Sequence, residues 1–408
     1  MATANVLVGS MLLCGTACIV WGATTAHGSG FGIFTQSAAG LGQANSVVAH
    51  VEGPSTVFFN PALITALPGT QVEAGTTLIF PHRKFRSDEG ETVKTRDDLF
   101  YPSTLYLTHQ FNENFSMGLG VFNPFGLSTD WGTGWSGRYL ATRSELQTYA
   151  INPVVAYRIS PSLSIAGGAN IILLDATLEN RILSDALGIP DQPFDVAQKF
   201  KGDGHGVGYN AGLAWKFSDQ ISIGASYRSE VEIDIDGDLT LSAFPEKLPG
   251  STTLTLPQQV LAGIAWRPSD SLVLETGLRW EDWTSFRQLR ITVPGQAPAT
   301  YPREWHDTFS INTGAKYRIN EKWAVMGGYL YGWNPVPDRT FEPSIPDSNT
   351  HLFCAGGEAE FDGLKVTMAY GYQLQENRSK TTNRYGPLAN GTYSTDLHLL
   401  AISLGYSF

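Results

Sequence analysis

From about Gly69 to the last residue, apolar and polar side chains alternate in segments of roughly ten, the period-two signature of β-strands with one apolar face. The final segment shows it most cleanly: Leu400, Ile402, Leu404, Tyr406 and Phe408 fall on one face, and Ala401, Ser403, Gly405 and Ser407 on the other. The same division recurs from Ile221 to Tyr227, from Val207 to Trp215 and from Leu364 to Tyr372. Connections alternate too. Short turns are expected at 158–162, 217–220, 267–271, 318–322 and 361–363, with a slightly longer one around 112–114. Long polar connections are expected at 84–98, 123–143, 183–205, 236–255, 284–303, 332–350 and 377–395. They join about fourteen strands, the even number of a single-chain barrel with short periplasmic turns and long external loops.

Strands with an apolar outer face must close on themselves in a bilayer, where each backbone donor and acceptor has to be paired within the protein. The expected fold is therefore all-β and transmembrane: an antiparallel outer-membrane β-barrel over 69–408, apolar face to lipid and the other face to a lumen. Aromatic residues near strand ends, Trp280 with Trp283, Trp323 with Tyr329 and Tyr331, and Tyr370 with Tyr372, suit interfacial girdles. Tyr406 and Phe408, ending the last strand, are the residues a barrel assembly machinery is expected to read.

The first 68 residues do not alternate. Val6 to Trp21 is an apolar run too short to span a bilayer, and the small residues Thr24 and Ala26 precede His27, so 1–26 reads as an export signal, although no Lys or Arg precedes its core. Gly15-Thr16-Ala17-Cys18 resembles a lipoprotein cleavage site but lacks the leading Leu. With Cys14 and Cys18 inside the signal, Cys354 stands alone, which excludes a disulfide framework and a Cys-based metal site. Residues 27–68 hold a small-residue helix over Thr35 to Val48 and a second helix start at Asn60-Pro61-Ala62, Asn60 capping and Pro61 at the first helical position. A segment this short, attached to a barrel's first strand, is expected to plug the lumen as a hatch, with Phe31 near its start; a periplasmic arm is the alternative.

Composition removes other classes. A net charge of -11 without clustered Lys and Arg excludes a nucleic-acid partner. Arg228, Glu230, Glu232, Asp234, Glu275, Arg279 and Glu281 fall on polar faces, where ion pairs lining the lumen account for them better than general acid and base work, so no enzyme is expected. Gly206-Val207-Gly208 with Gly212 has no helix after it and reads as small lumen-facing positions, not a nucleotide loop. No cofactor and no metal are expected. The third strand is interrupted at Asn123-Pro124-Phe125-Gly126, where Pro124 has no amide hydrogen and Gly126 no side chain; the break is either a hole in the wall or a turn at a strand end.

Several segments occur in an order that is specific together: Gly30-Phe31, Ser37-Ala38-Ala39-Gly40-Leu41-Gly42-Gln43-Ala44, Phe59-Asn60-Pro61-Ala62-Leu63-Ile64-Thr65, and Asn123-Pro124-Phe125-Gly126-Leu127. Tyr227-Arg228-Ser229-Glu230-Val231, Trp283-Thr284-Ser285-Phe286, Pro335-Val336-Pro337-Asp338 and Ser344-Ile345-Pro346-Asp347 follow. The chain thereby resembles the FadL-type long-chain fatty acid transporters over nearly its whole mature length. That resemblance implies a fourteen-stranded barrel in the bacterial outer membrane, an N-terminal hatch, hydrophobic binding sites in the extracellular half, and sideways exit beside a kinked third strand at Asn123, Pro124, Phe125 and Gly126. It also implies basic ligand-binding residues near the end of the fifth strand, at Arg181, and the start of the tenth, at Arg303. Simple parity sets Arg181 with Leu163 and Ile165, and Arg303 with Phe309 and Ile311, on the outward face unless a bulge or the loop redirects them. Two departures leave the ligand open between fatty acids and the aromatic hydrocarbons that relatives import: the connection 183–205 is short, and Val51-Glu52-Gly53-Pro54 replaces an acidic pair in the hatch. A hydrophilic diffusion porin and a barrel lipid hydrolase are the alternatives from other classes. The expected partners are the hydrophobic ligand, outer-membrane lipid with lipopolysaccharide, and the assembly machinery, the protein itself being a monomer.

Overall fold

The structure is a computed structural model and describes residues 30–96, 99–189, 194–381 and 384–408. The expected signal 1–26, and the hatch residues 27–29, lie outside them. Fourteen strands among the described residues make one closed antiparallel wall. They are β1 (Thr70–Ser87), β2 (Ser103–Gln110), β3 (Phe115–Phe122, resuming at Gly126–Asp130), β4 (Arg143–Ser160), β5 (Leu163–Leu183), β6 (Asp195–Lys216) and β7 (Ile221–Arg228, resuming at Val231–Leu241). The circuit continues through β8 (Lys247–Leu256, resuming at Gln259–Ser269), β9 (Leu272–Glu281), β10 (Thr308–Arg318), β11 (Trp323–Gly332), β12 (Thr350–Phe361), β13 (Leu364–Gln375) and β14 (Gly391–Ser407). It closes where β1 pairs with β14, from Gln71 opposite Ser407 to Ser87 opposite Gly391.

In the half nearest the short turns, alternation has the expected sense. Leu105, Leu107, Leu119, Val155, Ile264, Ile311 and Leu404 are exposed on the outer face, and Tyr157, Trp215, Trp266, Tyr317 and Trp323 ring its lower edge. Trp283 departs from the girdle expectation. It sits in a short turn after β9, fully buried inside the barrel.

In the other half the alternation inverts, and here the expected loops 183–205 and 236–255 turn out to be mostly strand. β5 and β6 pair without a break from Leu163 opposite Trp215 to Leu183 opposite Asp195. Above the lipid the outer face meets water and the inner face meets loops, so polar side chains point out and apolar ones in. β7 makes the change with one extra residue: Arg228 opposes Asn210 while Asp234 opposes His205, so 229–233 face 206–209. A β-bulge of one residue exchanges the two faces of a strand. Below it Ile221, Ile223 and Tyr227 point outward; above it Val231, Ile233 and Ile235 are buried and Glu232, Asp234 and Asp236 are exposed. Glu230, Glu232 and Asp234 therefore do not line the lumen, whereas Arg228, Glu275, Arg279 and Glu281 do.

Residues 30–65 lie inside the wall and are buried except for half-buried Val51. The helix expected over Thr35 to Val48 spans only Ala38–Gly42, capped by the Ser37 hydroxyl, which accepts the Gly40 N–H at 2.9 Å. It ends because Ala44 and Asn45 adopt left-handed backbone, φ 50° and 65°, which no continuing helix tolerates. A second short helix, Thr56–Phe59, leads into a 3₁₀ turn, Pro61–Ala66. Asn60 caps that turn by accepting the Ala62 N–H at 3.1 Å, and donates to the carbonyls of Val48 at 2.8 Å and Leu213 at 2.9 Å. Wall glycines give this backbone its room: a side chain at Gly224 would overlap the Val48 carbonyl, and one at Gly314 the Gln43 carbonyl.

Candidate functional site

The lumen has two tiers. Below, Ser222, Arg228, Glu275, Asn312 and Ser403 bond the hatch backbone; above, Phe85, Leu146, Ile172, Leu174, Phe200, Ile233 and Leu254 line an apolar chamber under the external loops. Polar groups below suit a segment whose short helices leave many backbone amides to satisfy. Glu275 shows how. Its carboxylate accepts the Val48 N–H at 2.6 Å and the Ala49 N–H at 3.0 Å, and lies 2.6 Å from His50 Nδ1. His50 Nε2 is 2.9 Å from Glu52, which in turn pairs with Lys316 at 2.6 Å, and Lys316 also reaches Glu358 at 2.9 Å. Burial alone would depress the His50 imidazole, but Glu275 and Glu52 together outweigh it and hold it up at about 9. The hatch is thus latched to the wall by a buried chain of alternating charges.

The upper chamber contains a pocket of about 60 Å³, with an apolar wall of Leu140, Leu178, Phe200, Leu289 and Ile291 and polar groups from Ser144, Glu179, Asn180, Gln198, Tyr301, Arg303, Glu342 and Ser344. Arg303 is 5% exposed, so parity misplaced it. It precedes β10, whose first residue is Thr308, and belongs to a loop folded into the barrel mouth. Its guanidinium pairs with Glu342 at 2.5 Å and lies 5.8 Å from the Phe286 ring. Arg303 Nε makes no hydrogen bond. Arg181 is half-buried at the far end of β5 opposite Ala197 and is not among the residues lining this pocket, so the two arginines are not brought together.

From Arg303 an aromatic path leads inward. Phe286 is 5.9 Å from Phe31, Phe31 is 4.5 Å from Trp283 and 6.0 Å from Phe125, and Trp305 is 5.2 Å from Trp283. Spacing could not bring this cluster together; its separate traces were the segments Gly30-Phe31, Asn123-Pro124-Phe125-Gly126 and Trp283-Thr284-Ser285-Phe286, and only Trp305 was missed. Gly30, φ 68°, holds Phe31 in place where any side chain would meet Trp283 and Trp305 at 2.7 Å, and its N–H donates to Asp347 at 3.0 Å.

Phe125 stands at the break in β3. The β2–β3 ladder stops at Leu105 opposite Val121, and beyond it the backbone of Asn123, Pro124, Phe125 and Gly126 turns to the interior. The Pro124 carbonyl accepts the Ile33 N–H at 2.9 Å, and the Gly126 N–H donates to the Phe31 carbonyl at 2.9 Å. Gln36 donates to the Asn123 carbonyl at 2.8 Å, and the Phe125 N–H donates to the Thr148 hydroxyl at 3.0 Å. A side-chain bond spans the interrupted wall, the Ser103 N–H to Asn123 Oδ1 at 3.2 Å. The break is therefore a bulge whose backbone groups are satisfied from inside by the hatch, with the ladder to β2 left open.

Residues 19–408 match the family model described as outer membrane protein transport protein (OMPP1/FadL/TodX). The chain belongs to this family. It is similar to a long-chain fatty acid transport protein of Escherichia coli O6:H1, 26% identical over 374 residues that cover 82% of this chain and 84% of that protein. Outer membrane protein P1 of Haemophilus influenzae is 23% identical, covering 94% of this chain and 96% of that one. Among solved structures, a Pseudomonas aeruginosa FadL homologue shares the fold with a TM-score of 0.85 at 20% identity, covering 93% of this chain and 100% of that one. The Pseudomonas putida toluene transporter TodX does so with a TM-score of 0.74 at 17% identity, covering 91% and 98%. The protein is accordingly an outer-membrane transporter of hydrophobic compounds and not an enzyme.

Proposed function

We propose that this family member carries long-chain fatty acids, or amphiphiles like them, passively inward. They bind in the apolar chamber with the head group at Arg303 and leave sideways through the wall at the β3 break. The observation that carries the head-group assignment is a buried arginine with an unbonded Nε in a pocket that also has an apolar wall of Leu140, Leu178, Phe200, Leu289 and Ile291. A carboxylate accepts two parallel N–H bonds from a guanidinium, which a neutral hydrocarbon cannot. A pocket of about 60 Å³ holds a few waters, so a long chain must part the loops and displace Glu342 from Arg303. Below the chamber, the latched hatch blocks the straight route, and the open ladder at Asn123 to Gly126 leaves the wall as the way out. The barrel acts as a monomer in this reading, and Arg181 serves at the rim as a first contact for anionic heads.

A second reading, import of aromatic hydrocarbons, draws on the cluster of Phe31, Phe125, Trp283, Phe286 and Trp305 and on Glu342, which already neutralises Arg303. Uptake of labelled oleate and of toluene by cells carrying Arg303→Ala separates the two. Loss of oleate uptake with toluene unaffected supports the first reading; no loss of oleate uptake refutes it. The exit is tested by Pro124→Val with Gly126→Ala, which restores an amide donor and adds a wall side chain. Uptake at the parental rate in that variant would overturn lateral release.

A further inference from the structure

On the outer face, where the first and last strands meet, the β1–β14 register sets His82 opposite Asp396 and Phe80 opposite His398. The three side chains continue the outward face of Phe80 and Leu400, just beyond the apolar belt that those residues end. One ligand atom from each of the three lies within 4.8 Å of the others, and among the described residues no other trio of His, Cys, Asp and Glu comes as close. His82 Nδ1 is 3.1 Å from Asp396 Oδ2, and the two imidazole rings are 5.7 Å apart. The contact spans 314 residues of sequence, which is why reading the chain alone led to the expectation of no metal.

We propose that His82, Asp396 and His398 bind a divalent transition metal of the zinc class, and that the ion staples the seam at which the barrel closes. Two imidazoles and one carboxylate are a donor set such ions take, with water completing the shell. His398 Nδ1 is already engaged, 2.6 Å from the Tyr370 hydroxyl on β13, which leaves Nε2 for the metal. A hydrogen bond to the second ring nitrogen is the outer-shell support that ligating histidines regularly have. Ligands at zinc sit roughly 3.4 Å apart when tetrahedral, so the trio has to draw in by at most about 1.4 Å, a rotation about side-chain torsions while the backbone stays fixed in its ladder. The His82 side chain is 52% exposed and that of Asp396 37%, so the ion and its water exchange directly with the aqueous side. An ion held here ties β1 to β14 and, through Tyr370, orients both against β13. Because the unfolded chain does not hold the three together, binding favours the closed barrel.

The test is calorimetric titration of zinc chloride into the untagged, detergent-purified barrel at neutral pH, with the temperature of barrel unfolding in SDS read in parallel. One ion per barrel is expected, weakened at least tenfold by His82→Gln or His398→Gln and about tenfold by Tyr370→Phe. Zinc should raise the unfolding temperature of the parent and not of the His82→Gln, His398→Gln double variant; magnesium should do neither. These side chains point away from the lumen, so the variants should still take up ligand at the parental rate, a check that they are folded. No zinc binding by the parent, or equal binding by the double variant, would overturn the site, and binding without a rise in unfolding temperature would overturn the staple.

Discussion

Replacing Glu275 with Gln asks whether the hatch is held by chemistry or only by shape. The wall does not depend on this side chain, since β9 pairs with β8 and β10 through backbone bonds on both sides of it. The hatch does depend on it. One carboxylate takes the amides of Val48 and Ala49 and the His50 imidazole, all buried. An amide in its place keeps one acceptor oxygen, turns an N–H₂ toward donors, and leaves a protonated His50 facing Glu52 alone. Breaking one side of a buried ion pair costs about 3 to 5 kcal/mol, which shifts the balance between seated and displaced hatch by roughly a hundred to several thousand fold. The assay is conductance across planar bilayers, with swelling of sugar-loaded liposomes as a second measure. The parent should be nearly closed and Glu275→Gln should leak small polar solutes, while both still run as heat-modifiable barrels. A folded Glu275→Gln barrel as tight as the parent would show that packing alone seats the hatch.

The same latch should be opened by alkali. His50, on the hatch and not on a membrane-spanning strand, is held up at about 9 against an ordinary 6.5, so its contribution is complete below about 6.5 and is lost as pH rises through 9. Leakage measured from pH 6 to 10 should therefore climb at the upper end, and a barrel that opens toward acid instead would contradict the assignment. Glu342→Gln removes the carboxylate that competes for Arg303 and should tighten oleate binding about tenfold by fluorescence displacement, whereas weaker binding would show that Glu342 organises the pocket for its ligand. Phe408 is 78% exposed and packs edge-on against Tyr406 at 4.8 Å. Phe408→Asp should lower the amount of assembled barrel in the outer membrane, and normal amounts by heat-modifiability would dismiss an assembly role.

Much of the wall was legible because lipid imposes one rule on one face of every strand. Where that rule stops, legibility stops. Above the lipid the strands keep their ladder but exchange their faces, so 183–205 and 236–255 read as loops although β5 to β8 pair through them. The bulge on β7 hides in plain view, since Ile221, Ile223, Tyr227, Val231, Ile233 and Ile235 are all odd-numbered yet point to opposite sides. Parity failed for Arg303 for a related reason: counting back from Phe309 presumes a strand where a loop has folded inward. The interior was less legible still. The bond from Gly30 to Asp347 crosses 317 residues and that from Val48 to Glu275 crosses 227, and no spacing rule connects such positions. The capping of the turn at Pro61 by Asn60 was readable because it is local.

The hatch touches the wall on all sides. Ala38 donates to Ser403 on β14, the Ala44 carbonyl accepts from Asn312 on β10, Ser222 on β7 donates to the Ala49 carbonyl, and Asn60 donates to the Leu213 carbonyl on β6. These partners come from opposite arcs of the circumference, so an open sheet can offer only some of them at a time. A half-rolled sheet around the hatch would leave buried donors and acceptors without partners, each costing about 1 to 3 kcal/mol. Intermediates are thereby disfavoured relative to both the open sheet and the closed ring. A segment seated by bonds from opposite arcs therefore favours the complete ring over any half-rolled one.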